Sequence, residues 1–184
     1  MPAKTAHAGL YSRKAVARIS AQPFFLWAKQ MRYWLMKSEP DEVSIDDVLT
    51  APGQTVSWFG VRNYQARNFM RDDMRAGDLA FFYHSSCAEP GIAGIVEIVS
   101  TAYPDATQFD TASHYHDPKA TPEQPRWSSV DVKARRKIAL LSLKQLRTHP
   151  ELAAMRLLSK GSRLSVMPVE PSEWKFIEKL LSGN

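Results

Sequence analysis

The run Leu79-Ala80-Phe81-Phe82-Tyr83 constrains the fold more than any other part of the chain, because it is uncharged and apolar at odd and even positions alike. A strand that is apolar on both faces belongs inside a sheet rather than at its edge. The strand reads from Leu79 to Ser85, Ser86 to Gly91 is a turn, and Ile92 to Val99 is a second strand. Gly94 inside that second strand marks a bulge or a close approach of another backbone. Further strands are expected at Tyr33–Lys37, ended by Pro40, at Val56–Phe59, from Val130 to Ile138, and from Ser162 to Val169.

Short helices are interleaved with these strands. Ser44-Ile45-Asp46-Asp47 has the form of a capping box, and the helix behind it closes at Pro52-Gly53. Asn63 is a natural N-cap for a helix running to about Met74, with Ala66, Phe69, Met70 and Met74 on one face. Ser142 caps a helix to about Arg147, Pro150 starts another, and Ser172 is expected to cap a last one carrying Trp174, Ile177, Leu180 and Leu181. Ala102 to Arg126 has no period and reads as a long surface loop, a kind of segment that often carries function. The pattern predicts one α+β domain built round a small curved sheet or barrel.

Composition limits the partners. No apolar run approaches the ~18 residues of a membrane span. With Cys87 as its single cysteine, the chain forms no internal disulfide and no cysteine-only zinc cluster. Residues 1–30 hold Lys4, Arg13, Lys14, Arg18 and Lys29 and no acid, which is the whole net charge of +5. The remainder is neutral, so a nucleic-acid face must come from local clustering and not from bulk charge. The basic segment, residues 1–31, has three readings: a targeting leader, an arm that touches phosphates, or sequence upstream of a true start at Met31. A cytoplasmic location is expected, or an organelle or the nucleus if the leader is a targeting signal.

The stretch from Trp58 to Asn68 sets aromatics, Gly60, Arg62 and Asn63 where a loop meets a helix. Aromatic faces stack on bases, glycine admits close backbone, and Arg or Asn can read a base edge through two contacts. It is one of five motifs that occur in order between residue 32 and about 180. The others are Tyr33-Trp34-Leu35-Met36-Lys37-Ser38-Glu39-Pro40, Gly77-Asp78 with Phe81-Phe82-Tyr83-His84-Ser85, Tyr103-Pro104-Asp105, and Ser162-Arg163-Leu164-Ser165-Val166 with Pro168-Val169. On these the chain resembles the EVE-domain family of the PUA-like superfamily.

The resemblance implies a pseudo-barrel of about five or six strands flanked by short helices over residues 32–184. It implies a reader rather than a catalyst, without cofactor or metal. The ligand would be a modified base in DNA or RNA, such as a methylated or hydroxymethylated cytosine, flipped into a pocket. Lys37, Ser38 and Glu39 would meet the base edge or a neighbouring phosphate. Trp58, Phe59 and Tyr64 would supply stacking, with at least one of them in the core and Trp58 the best wall. Gly60 and Val61 would offer backbone groups, and Arg62 and Asn63 would read an edge or grip a phosphate. Arg67, one helical turn past Asn63, would reach a phosphate. Tyr83, His84 and Ser85 would line the pocket at the end of the central strand. Arg163 and Ser165 would share one strand face, with Leu164 turned to the core.

Each role has a plain alternative: Asn63 as a simple cap, Arg67 on a solvated helix face, Arg163 in a structural ion pair. The basic run from Lys133 to Lys137 could track a backbone or merely charge a strand edge. A competing function is an enzyme acting on RNA or a small amide through His84 or Lys37. Adjacent strand residues face opposite ways, however, so His84 and Ser85 do not share a cleft without a bend. His114 and His116 look like a metal fragment but lack further ligands.

Overall fold

The structure is a computed structural model that describes residues 31–183. The leader and the readings attached to it lie outside the described residues. Seven strands form: β1 (Tyr33–Ser38), β2 (Thr55–Trp58), β3 (Leu79–His84), β4 (Gly91–Ile98), β5 (Tyr103–Pro104), β6 (Ser128–Ser142) and β7 (Val166–Val169). The main sheet runs β2-β6-β4-β3-β1-β7, and β5 pairs with the start of β6. β1 is parallel to β3, and the other pairings are antiparallel. The class is α+β, as expected. The strands number seven rather than five or six, and β2 and β7 end the hydrogen-bonded path, so the sheet is not closed into a barrel.

Alternation along the strands builds two cores. Trp34, Met36, Phe82, Val96, Val130 and Trp58 bury one face together with Ile45 and Val48 of helix α1 (Ile45–Thr50). Leu35, Phe81, Ile95 and Met167 bury the other against Trp174 and Ile177 of α4 (Pro171–Leu181). β3 is central and Phe81 and Phe82 are both fully buried, the outcome its two-faced apolarity requires. At Gly94 a Cβ would lie 2.7 Å from the Ile45 side chain and 2.9 Å from the Arg136 carbonyl oxygen. Glycine therefore lets α1 sit directly on the sheet, beside register shifts in β4.

Local capping chemistry fixes most helix starts. Ser44 and Asp47 form the expected capping box, and so do Ser142 and Gln145 at α3 (Leu143–Leu146). The Asn63 Oδ1 accepts from the backbone N–H groups of Gln65 and Ala66 at 2.9 and 3.1 Å, opening α2 (Tyr64–Asn68). α2 passes into a π-helical turn, Phe69–Asp73, instead of continuing as α-helix to Met74. Ser172 does not cap α4. Pro171 occupies the first turn and Glu170 is the cap, in a box with Glu173. The last strand starts at Val166 rather than Ser162, and the segment before it is a loop. Among the described residues no helix is long and apolar enough to cross a membrane.

Candidate functional site

The strand pairings bring three distant stretches to one end of the sheet. β1 and β3 are parallel, so their C-terminal ends coincide and Ser85 N–H donates to the Ser38 carbonyl at 2.8 Å. β7 is antiparallel to β1, and the Lys37 N–H donates to the Ser165 carbonyl at 2.7 Å, which pins residues 162–165 beside the end of β1. The curvature of the sheet carries β2 round until Trp58 packs edge-on against Phe82, with centroids 5.3 Å apart and planes at 84°. The residues after Trp58 then face the end of β1 across a cavity of about 340 Å³.

Lys37, Ser38, Glu39, Trp58, Gly60, Val61, Ser85, Arg163 and Ser165 all line this hollow. Their contributions differ. The Ser38 hydroxyl is committed to the Val43 carbonyl at 2.8 Å, and the Ser85 hydroxyl donates to the Ser38 carbonyl at 3.3 Å. Lys37 lies opposite Tyr83 in the ladder, and its ammonium sits 5.9 Å from that ring; burial lowers its pKa. Trp58 is only 5% exposed, so it walls the hollow while belonging to the core. Arg163 and Ser165 precede β7, so no common strand face orients them, and Leu164 lines the cavity as well as packing on the core. Arg163 is exposed and has no ion pair among the described residues.

Six expected residues lie elsewhere. Arg62 is bound into the scaffold: it donates to Asp105 Oδ2 at 2.7 Å, to Thr107 Oγ1 at 2.9 Å, and from Nε to the Tyr115 carbonyl at 2.8 Å. With its donors spent on the long loop, it has no fork left to read a base. Asn63 is the N-cap of α2, and its exposed side chain lies outside the cavity. Tyr64 stacks on Trp127 with centroids 4.9 Å apart, away from the hollow. Arg67 donates to the Arg126 carbonyl at 2.7 Å. Tyr83 is buried in the core on the other sheet face. His84 accepts the Ile45 N–H through Nε2 at 3.2 Å, which fixes α1 to the sheet. Burial holds its pKa low, and the lone pair a general base needs is already occupied. The enzymatic reading through His84 loses its base on this geometry.

The residue that pattern reading missed is Tyr115, from the middle of the long loop. Its ring lies so close to Gly60 that a Cβ there would sit 2.5 Å from it, and Gly60 has φ of +77°. Gly60 is thus required twice, by its left-handed backbone and by the ring above it. Phe59 packs edge-on against Tyr115 at 5.9 Å. Glu42, also unforeseen, accepts the Tyr115 hydroxyl at 2.8 Å. Burial, and next this bond, push the phenol's pKa upward.

The loop itself is built rather than loose. Gln108 is fully buried; its amide donates to the carbonyls of Asp105 and Trp127 and accepts from the N–H groups of Arg126 and Trp127. Asp105 has no exposed side-chain surface and accepts from Gly60 N–H at 2.9 Å as well as from Arg62. Asp105 stands in the Tyr-Pro-Asp motif, the one sequence signal that pointed to it. The run from Arg135 to Lys137 is tied to acids, Arg135 to Glu97, Arg136 to Glu178 and Lys137 to Asp46, and so behaves as a charged strand. Among the described residues no group of His, Cys, Asp and Glu is arranged to hold a metal.

Comparison with known proteins agrees with this fold. Residues 32–180 match the model of the EVE domain. Human thymocyte nuclear protein 1 is 44% identical over 166 residues, covering 80% of this chain and 73% of that protein. A crystal structure of a Pseudomonas syringae protein superposes with a TM-score of 0.77 at 55% identity, over 80% of this chain and 98% of that one. The human thymocyte nuclear protein 1 structure in complex with 5-methylcytosine-containing DNA superposes with a TM-score of 0.74 at 43% identity, over 81% and 96% of the two chains.

Proposed function

The chain belongs to the EVE-domain family, and from that premise we propose that it is a reader whose cavity takes one modified cytosine from a DNA strand. The observation that carries the reading is the hollow itself. Its volume of about 340 Å³ falls at the lower end of small-ligand sites, the size suited to a single base. Trp58, Phe59 and Tyr115 give it aromatic walls, Gly60 and Val61 bring backbone to its rim, and Glu39 and Glu42 add carboxylates of the kind that accept a cytosine amino group. Arg163, exposed and without an ion pair among the described residues, supplies a guanidinium in the lining for a phosphate. The DNA complex of the human relative supports the same class of ligand.

Energetics shape what the site must do. Taking a base out of the stack costs a few kcal/mol, so wall contacts and edge bonds have to exceed that cost. A buried methyl adds only ~0.8 kcal/mol, roughly fourfold in affinity. Strong preference for a modified base therefore requires a wall shaped round the substituent. Titration of the purified protein with matched oligonucleotides, methylated, hydroxymethylated and plain, in DNA and RNA backbones, tests this. Tighter binding of a modified DNA strand is the expected result. Equal and weak binding of every strand would end the proposal.

A further inference from the structure

Tyr64, displaced from the cavity, stands in an unusual setting. It is 49% exposed, and it stacks on buried Trp127 with planes 24° apart. The Arg67 guanidinium carbon is 4.9 Å from the Tyr64 centroid and 5.9 Å from the Trp127 centroid, while the two rings are 4.9 Å apart. At those distances Arg67 lies off the axis of the Tyr64–Trp127 stack, and the Arg126 guanidinium carbon also approaches the Tyr64 ring, 5.9 Å from its centroid. Arg126 meets Tyr64 at its edge, through a hydrogen bond to the hydroxyl. Tyr64 is thus backed on one face by Trp127, flanked by two guanidiniums, and half exposed.

The charge is unbalanced as well. Arg126 has a loose pairing with Asp117 at 3.5 Å, and Arg67 has no carboxylate partner among the described residues. Burial, with Arg71 and Arg126 nearby, pushes the Arg67 pKa down. Such a cluster favours an anion. It is linked to the cavity wall through one side chain: the Arg62 guanidinium lies 5.2 Å from the ring of Tyr115 and 5.4 Å from that of Trp127.

We propose that Tyr64, Arg67 and Arg126 form a second contact surface, which takes the unpaired nucleotide next to the one held in the cavity, its base on Tyr64 and its phosphate on the two guanidiniums. The proposal rests on the reader function for its register, since it places the neighbour of the captured base. Stacking platforms beside arginines bind single strands with little sequence preference, so this surface adds affinity and leaves the choice of base to the cavity.

The test uses two single-stranded DNA oligonucleotides with a central 5-methylcytosine, one with normal neighbours and one with abasic sites on both sides. Wild-type protein is expected to bind the abasic strand about five- to a hundredfold more weakly, the range for one stacked base. Tyr64→Ala should lose the same factor on the intact strand and nothing further on the abasic strand, while Tyr64→Phe keeps wild-type affinity. Arg126→Gln should reduce the slope of log affinity against log salt by about one. Wild-type affinity of Tyr64→Ala on the intact strand, or an equal loss on both strands, overturns the surface. An unmethylated control separates the two ideas. If it binds as tightly as the methylated strand yet responds to Tyr64→Ala, the platform stands and the modified-base reading falls.

Discussion

The Tyr115 hydroxyl donates a 2.8 Å hydrogen bond to Glu42 Oε2, tying the middle of the long loop to the turn after β1, 73 residues away in sequence. Both residues line the cavity, so the bond joins two parts of its wall. Burial and the bond to Glu42 raise the phenol's pKa, so its protonated form is the one the fold stabilises. That contribution is whole below the ordinary tyrosine value of ~10 and is lost only as pH climbs through the raised value. The tether therefore holds throughout the neutral range.

Tyr115→Phe keeps the ring and removes the tether. A lost hydrogen bond of this kind is worth about 1 kcal/mol of stability, so the melting temperature should fall by about 2–4 °C, and a loosened wall should release the base up to about fivefold faster. Stopped-flow dissociation of a methylated oligonucleotide measures it. An unaltered off-rate would show that the loop position does not depend on Glu42.

Gly60→Ala strikes the same wall from the other side. A Cβ at Gly60 would lie 2.5 to 2.9 Å from three ring carbons of Tyr115, on a residue with φ of +77°. The backbone strain alone is about 1 kcal/mol or more, and the ring has to move. We expect a fall of several degrees in melting temperature, taking about 2–4 °C per kcal/mol for a chain of this size, together with at least tenfold weaker binding. A variant with native stability and native affinity would remove Tyr115 from its place over Gly60.

Trp58→Ala is a poor probe of binding despite the position of Trp58 in the wall. The side chain is 5% exposed and packs on Phe82, so truncation should cost about 3–5 kcal/mol, as for other buried aromatics. Chemical denaturation should show that loss without any ligand. Arg163→Ala is the cleaner change: the residue is exposed and pairs with no acid among the described residues, so stability should stay within ~0.5 kcal/mol. Affinity should drop and its salt dependence should weaken by about one ion. Native affinity with a native salt slope would place Arg163 off the strand's path.

Features decided by neighbouring residues were legible in the sequence. The caps at Ser44, Asn63 and Ser142 are local hydrogen-bond geometry, and β3 shows its central place through its own composition. Ser172 failed as a cap because Pro171 suits the first turn and Glu170 closes its own box with Glu173. The strand expected from Ser162 is cut short because pairing with β1 begins at Val166 opposite Met36. Arg62 looked like a base reader because its partners are far off in sequence: Asp105 is 43 positions away, and the Tyr115 carbonyl 53. His84 faces α1 because it shares a sheet face with Phe82, which alternation shows, although the N–H waiting for it does not. Tyr115 sits in a loop without periodicity, so nothing local marked it.

Asp105 gives the sharpest pH prediction. Burial works to raise its pKa, but the hydrogen bonds from Arg62, Thr107 and the Gly60 N–H outweigh that and hold it below the ordinary carboxylate value. A depressed carboxylate contributes stability above its unfolded pKa of ~3.9 and loses it as pH falls through the folded value. Wild-type protein should therefore lose this contribution below about pH 4. Asp105→Asn leaves Arg62 facing a neutral amide in a largely buried site, which should cost about 3 kcal/mol at pH 7. The variant should then show a flatter fall in stability between pH 5 and acid than wild type, because the group that titrates is gone. Urea unfolding of both proteins across that range measures the two effects at once. Parallel pH curves with equal midpoints would mean that the Arg62–Asp105 pair does not support the loop that carries Tyr115.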